Sequence, residues 1–164
     1  MPGRQYTAPL NITTGLPTPA QIDIFEILAG TGKPLRLVGF ELGQSSEVGD
    51  AQEEQLVLIL KRCTGTVTSG SGGGTPTFQP TNHGDAAAGA TIETGNTTKL
   101  VVGTGTIVEL ARFAWNVRSP LPELMPEQMQ WTIDAGTRLV LELATTPADA
   151  ITSAQGWVAI EEII

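Results

Sequence analysis

The chain has 164 residues with 19 Gly, 11 Pro and only 16% charged residues, the size and punctuation of one compact domain, which excludes two large ones. Area scaling gives roughly 25,000 Å² for the unfolded chain and roughly 7,800 Å² for a folded monomer, so about two-thirds of the surface can be buried without staples. The net charge is −8 with nine Lys plus Arg, scattered except for Lys61-Arg62, so no patch faces a row of phosphates and direct nucleic-acid binding is not expected.

The start, Met1-Pro2-Gly3-Arg4-Gln5-Tyr6, lacks the basic and apolar stretches of a secretory signal, so cytoplasmic synthesis is expected. Residues 1–20 hold Pro2, Pro9, Pro17 and Pro19 with Asn11, Thr13, Thr14 and Gly15. That composition predicts an extended arm outside the fold. Within it, Tyr6, Leu10, Ile12 and Leu16 are the candidate interface residues, the apolar positions free to lie on a neighbour. From residue 21 to 164 a single β-sandwich domain is expected.

The run Gln21 to Ala29 alternates Ile22 and Ile24 and then shifts phase at Phe25 and Ile27, which predicts a strand with a bulge. Gly30-Thr31-Gly32-Lys33 has the look of a phosphate loop, but Ile27 stands where that motif needs its first Gly and Pro34 where it needs Ser or Thr, so a tight turn is expected. Pro34 to Gly43 is the next strand, followed by a polar acidic loop through residues 43–54. Gln55 to Cys63 contains the longest apolar run, the five residues Leu56 to Leu60. Five is far short of the roughly 18 that a membrane helix requires. This run is apolar on both faces, so its second face needs cover from the arm, a loop or another subunit.

Thr68-Ser69-Gly70-Ser71-Gly72-Gly73-Gly74-Thr75-Pro76 reads as a flexible linker, opening a long Gly-rich loop over 68–90. Strands are expected at Thr91 to Val102 and at Thr106 to Val117. The latter also has helical spacing at Ile107, Leu110, Ala111 and Ala114, with strand favoured. Residues 119–126 form a Pro-broken connection, and strands follow at Met129 to Asp134, Thr137 to Leu143 and Gln155 to Ile163. The last-but-one alternates Leu139, Leu141 and Leu143 with Arg138, Val140 and Glu142. About eight strands with Val, Ile and Thr between regular turns indicate an all-β fold, a two-sheet antiparallel β-sandwich of jelly-roll-like form. A short echo, Ala29-Gly30-Thr31 and Ala135-Gly136-Thr137, fits two similar corners between packed sheets.

Candidate chemistry is thin. One cysteine, Cys63, excludes an internal disulfide, and one histidine, His83, removes the usual multi-His metal sets, including that of a cupin-like enzyme. His83 lies in the turn sequence Asn82-His83-Gly84-Asp85, with nothing to orient it toward Cys63 or a serine. The carboxylates Glu41, Glu47, Asp50, Glu53 and Glu54 lack calcium-loop spacing. No catalytic residues, no metal and no cofactor are therefore assigned, and an enzyme is not expected. Trp115, Trp131 and Trp157 fall in separate strands and suit core packing, interface anchors or a sugar-stacking platform.

The texture of Gly39-Phe40-Glu41-Leu42-Gly43-Gln44-Ser45-Ser46-Glu47-Val48-Gly49-Asp50-Ala51, then Pro147-Ala148-Asp149-Ala150 and Trp157-Val158-Ala159-Ile160-Glu161-Glu162-Ile163, resembles the capsid decoration, or cement, proteins of tailed bacteriophages. The resemblance implies a viral structural protein, a homotrimer or homodimer. It would bind the major capsid protein on the outside of the virion, bridging capsomers, with no direct nucleic-acid or membrane partner. The alternative is a ligand- or glycan-binding sandwich of a phage tail or cell-surface assembly.

Overall fold

The computed structural model describes residues 3–13, 16, 22–45, 54–148 and 151–163. In chain order the strands are β1 (Arg4–Ile12), β2 (Ile22–Leu28), β3 (Leu35–Gln44), β4 (Gln55–Thr64), β5 (Val67–Thr68), β6 (Gln79–Pro80), β7 (Thr91–Asn96), β8 (Val101–Val102), β9 (Thr106–Asn116), β10 (Leu121–Leu124), β11 (Thr132–Ile133), β12 (Arg138–Leu143) and β13 (Ala154–Glu162). One 3-10 turn, Glu127–Met129, precedes β11. The first sheet runs β10-β3-β13-β1-β6 with β11 also on β3, the second runs β7-β2-β12-β4-β9, and β5 pairs with β8. The two large sheets are antiparallel and pack face to face as a β-sandwich. The chain exposes 8030 Å², close to the area expected from its mass.

Of the N-terminal arm expected over residues 1–20, Arg4–Ile12 is instead a strand of the first sheet, while residues 1, 2, 14, 15 and 17–20 lie outside the described residues. Residues Arg4–Ile12 pair along their whole length with β13, from Arg4 opposite Glu162 to Ile12 opposite Ala154. Tyr6, Ala8, Leu10 and Ile12 are buried while Gln5, Pro9 and Asn11 are exposed, the period of two that a half-buried strand requires. Pro9 is tolerated because β6 pairs with β1 only at Tyr6 and Thr7, leaving the ladder beside Pro9 open on that side. The burial gained by four apolar side chains on one face outweighs the local preference of the prolines, and the sandwich begins at residue 4, not 21.

The bulge expected in β2 is present. Leu141 pairs with Phe25 and Glu142 with Asp23, leaving Ile24 without a partner on β12. A second bulge falls in β9, where Leu60 pairs with Ala111 and Lys61 with Glu109, passing over Leu110. Thr106–Asn116 is strand and not helix. The run expected from Thr91 to Val102 breaks after Asn96, where Gly95 takes φ +65° beside the Ile12 side chain, a conformation costly for any residue with a Cβ. Met129 to Asp134 shortens to the two residues of β11, and the Pro-broken connection contains β10 at the edge of the first sheet, where Pro122 costs no central ladder bond.

Between the sheets Phe40 packs edge-on against both Phe25, 5.8 Å away, and Phe113, 5.4 Å away, the geometry aromatic rings prefer. Gly30-Thr31-Gly32-Lys33 is a turn, closed by Lys33 N–H on the Gly30 carbonyl. The echo has a structural basis. The Gly30 turn carries the chain from the second sheet to the first and the Asp134–Thr137 turn carries it back, and they bond to each other. Ala29 N–H donates to the Thr137 carbonyl at 3.0 Å and Gly136 N–H to the Ala29 carbonyl at 3.2 Å.

The Gly-rich segment is not a free linker. Residues 66–74 run antiparallel to 94–103, with reciprocal bonds between Ser71 and Thr98 at 3.0 Å and between Gly74 and Thr94 at 2.8 Å. A Cβ on Gly73 would collide with the Thr94 carbonyl oxygen and stand 2.8 Å from Asn96 Oδ1. Here glycine admits close backbone approach. Further along, Phe78 is buried, while residues 81–84 of the following turn are exposed.

Candidate functional site

The outer face of the second sheet carries a buried charge network. Its rows follow from the ladder: Asn96, Asp23, Glu142, Ile59 and Arg112 lie side by side, as do Glu93, Glu26, Val140, Lys61 and Glu109, then Thr91, Leu28, Arg138, Cys63 and Ile107. The bulge at Ile24 is what brings Asp23 and Glu26, three apart, onto one face. Asp23 and Glu26 are each 1% exposed and Glu142 7%. Lys61 Nζ is 2.5 Å and Lys99 Nζ 2.9 Å from the two Glu142 oxygens. Arg138 pairs with Glu26 Oε1, while Gly70 N–H donates to Glu26 Oε2 at 2.9 Å and Leu100 N–H to Asp23 Oδ2 at 2.6 Å. Three carboxylates meet three cations, and two of the carboxylates also hold the ribbon of residues 66–74 and 94–103 against the sheet.

The environment separates these groups. Burial pushes the Asp23 carboxyl up to about 6, helped by Glu142 and Glu26, against the Leu100 N–H and Lys99. Burial would also raise Glu142, but the bonds and charges of Lys61 and Lys99 outweigh it and hold it below the usual carboxylate value. Cys63, 1% exposed, is pushed up to about 11, chiefly by burial. A thiol so placed is a small core side chain and a poor nucleophile. Chemically, the network can lock a ribbon and take up one proton near pH 6.

A second clamp holds the other end of the loop. Glu162, 1% exposed, accepts Gly89 N–H at 2.6 Å and Ala90 N–H at 2.8 Å on Oε1, with Lys33 Nζ 3.2 Å from Oε2. Charge-assisted bonds of this kind are the strong ones.

The surface is uneven. Among the described residues, β9 pairs only with β4 and ends its sheet, and residues 106–109 are exposed. Ile107 is 45%, Val108 40%, Leu124 72% and Met129 65% exposed. The connection from Asn116 to Leu121 spans five peptide steps, about 17 Å at most, and is drawn tight by Trp115 Nε1–H on the Ser119 carbonyl at 3.0 Å. The end of β9 and the start of β10 therefore lie close together, and among the described residues four of the five large exposed hydrophobic ones lie on β9, β10 or the 3-10 turn after β10.

The candidate interface residues fall elsewhere. Tyr6, Leu10, Ile12 and Leu16 are 0–2% exposed and belong to this chain's own core, so they offer nothing to a neighbour. Tyr6 Oη donates to the Ala86 carbonyl at 3.0 Å, and Leu16 N–H to the Ile151 carbonyl at 2.6 Å. His83 sits exposed in its turn. On the second face of β4, Ile59 is only 5% exposed among this chain's own residues. Trp115 is core, Trp131 packs partly buried against it, and Trp157 lies half-buried on the outer face of the first sheet with Nε1–H 3.2 Å from Glu41 Oε2. Glu47, Asp50 and Glu53 lie outside the described residues.

Asp23, Glu26 and Glu142 were not legible as a group, although the alternation of Arg138, Val140 and Glu142 against three leucines marks one face in common. Among the described residues no group of three or more His, Cys, Asp or Glu is placed to hold a metal ion, and no helix is long and apolar enough to cross a membrane. Comparison with known protein families, curated proteins and solved structures finds no match to this chain.

Proposed function

We propose that the chain is a structural, non-catalytic assembly protein that decorates the outside of a tailed-phage capsid and bridges neighbouring capsomers. The observation that carries this reading is that Ile107, Val108, Leu124 and Met129, large apolar side chains left exposed, all stand on the edge strands β9 and β10 or the 3-10 turn after β10, and apolar side chains left in water at sheet edges suit burial against a partner. The strand order supports it. With β6, β7, β11 and the short ribbon set aside, β1-β13-β3-β10 packs on β2-β12-β4-β9 with first strand paired to last, second to next-to-last and so inward, an order that fits the jelly-roll form shared by viral capsid domains and others. Loops clamped by Glu26, Asp23 and Glu162 suit a rigid body repeated around a shell, where modest contacts add through multivalency. Co-sedimentation with expanded head shells, formed from the tailed-phage capsid protein of the same genome, tests the reading. Saturable binding that Leu124→Lys and Met129→Lys weaken is expected, and absence of binding by the folded protein overturns it.

One observation favours a glycan-binding reading. Pro122, Glu41, Trp157 and Pro9 are successive cross-strand partners on the outer face of the first sheet, so the aromatic ring stands between a carboxylate and a proline with a second proline beyond the carboxylate. Glycan-array binding abolished by Trp157→Ala, with shell binding absent, would select this alternative.

A further inference from the structure

We propose that β9 pairs with β9 of a second copy of this chain, in antiparallel register about a two-fold axis, joining two second sheets into one. The inference rests on reading the β9 side as a contact side, and it names the partner. β9 is 11 residues long and its outer ladder carries no partner among the described residues, so a row of N–H and C=O groups is available for strand addition.

The register follows from the side chains. Glu109 and Arg112 already form an ion pair, Arg112 Nη2 lying 2.9 Å from Glu109 Oε2, and both are largely exposed, at 47% and 62% of the side chain. An antiparallel copy reads the same strand backwards. With the pairing centred between Leu110 and Ala111, Glu109 faces Arg112 of the second copy and Arg112 faces its Glu109. Val108 then meets Phe113 of the second copy, and Ile107 meets its Ala114.

Such a register is normally forbidden. In a regular strand, residues three apart point to opposite faces, so a two-fold could not set Glu109 beside Arg112. The bulge at Leu110 removes the obstacle. Glu109 pairs with Lys61 and Arg112 with Ile59, so both stand on the outer face. Ile107 and Ala114 stand there too, opposite Cys63 and Val57. Val108 and Phe113 share the inner face, opposite Arg62 and Leu58. Every pair in the proposed register therefore joins residues of one face, and the two ion pairs are self-complementary across the axis. A two-fold interface must be self-complementary.

Sedimentation velocity of the full chain at micromolar to hundred-micromolar concentration tests this, together with charge reversal. The wild type is expected to dimerise. Glu109→Arg, which presents two cations, and Arg112→Glu, which presents two carboxylates, should each raise the dimer dissociation constant by on the order of tenfold or more, since like charges then oppose across the axis. An equimolar mixture of the two variants should recover a heterodimer, and the double exchange E109R/R112E should recover the homodimer. Circular dichroism of each variant confirms that it is folded. A wild type that stays monomeric, or single variants that dimerise like wild type, overturns the proposal. Shell binding by monomeric single variants would leave the decoration reading standing; a dimer that ignores shells would leave the pairing standing without it.

Discussion

Arg138 and Glu26, 112 residues apart in the chain, form an ion pair whose carboxylate is 1% exposed and which also accepts the Gly70 N–H. One side chain on β2 thus fixes a neighbouring strand and the glycine-rich ribbon above it. Replacing it by Gln leaves Arg138 without its counter-charge in a largely dry site. Removing one partner of a buried pair costs on the order of 3 kcal/mol. Glu26→Gln should lower the denaturation midpoint accordingly in urea, with faster amide exchange at Gly70. Unchanged exchange there would show that Glu26 does not hold the ribbon.

Asp23 acts in the opposite sense. Its folded value of about 6 lies above its ordinary one, so between about pH 4 and pH 6 the folded state holds a proton that the unfolded state has released. Stability attributable to this group falls as pH rises through that window and stays reduced above it. Asp23→Asn keeps an oxygen for Leu100 N–H and removes the charge. It should stabilise the protein at pH 7 by up to ~3 kcal/mol, with the gain vanishing below about pH 4. A stability difference from wild type that does not vary with pH would refute this.

β1 is structural throughout. Leu10→Ala should cost about 3 kcal/mol, as for other buried leucines, and deleting residues 1–12 should abolish the cooperative thermal transition. A truncated chain that melts cooperatively at the wild-type temperature would return these residues to the role of an arm.

These residues mark where sequence reasoning met its limit. The strands rich in Leu, Val and Ile were legible because alternation and turns agreed, as at Leu139, Leu141 and Leu143. The β2 bulge was legible from the phase shift at Phe25. β1 was not, because Pro9 and Asn11 vote locally against a strand and only pairing with β13, 158 residues away where Arg4 faces Glu162, overrides them. The charge network was hidden for a similar reason. Asp23, Lys61, Lys99 and Glu142 are far apart in the chain, and nothing in their local sequence announces that one ribbon will cover them.

Two glycines separate crowding from exposure. Gly73→Ala would push a methyl group into the Thr94 carbonyl, whereas at Gly84 a Cβ meets nothing within 4 Å. The first should lose about 1–3 kcal/mol of stability and the second stay within about 0.5 kcal/mol, read from thermal midpoints. Equal effects would place the ribbon away from β7.

Cys63 should resist alkylation in the native state at pH 8 and react within minutes in guanidinium, because burial and its raised value leave little thiolate. Rapid native labelling would show that the outer face of β4 is open.

The positions of β12 and β13 have a consequence for how the chain comes to be folded. Each is the filling of its sheet, β13 lying between β3 and β1 and β12 between β2 and β4, yet both follow in chain order the strands they join. Until they leave the ribosome, β1 to β4 have no neighbours to bond across the middle, and their apolar faces wait. Contacts of such sequence separation make for slow folding and a long window of aggregation risk. Both sheets therefore stay open until residues 138–162 are in place, and closing them is a late step of folding.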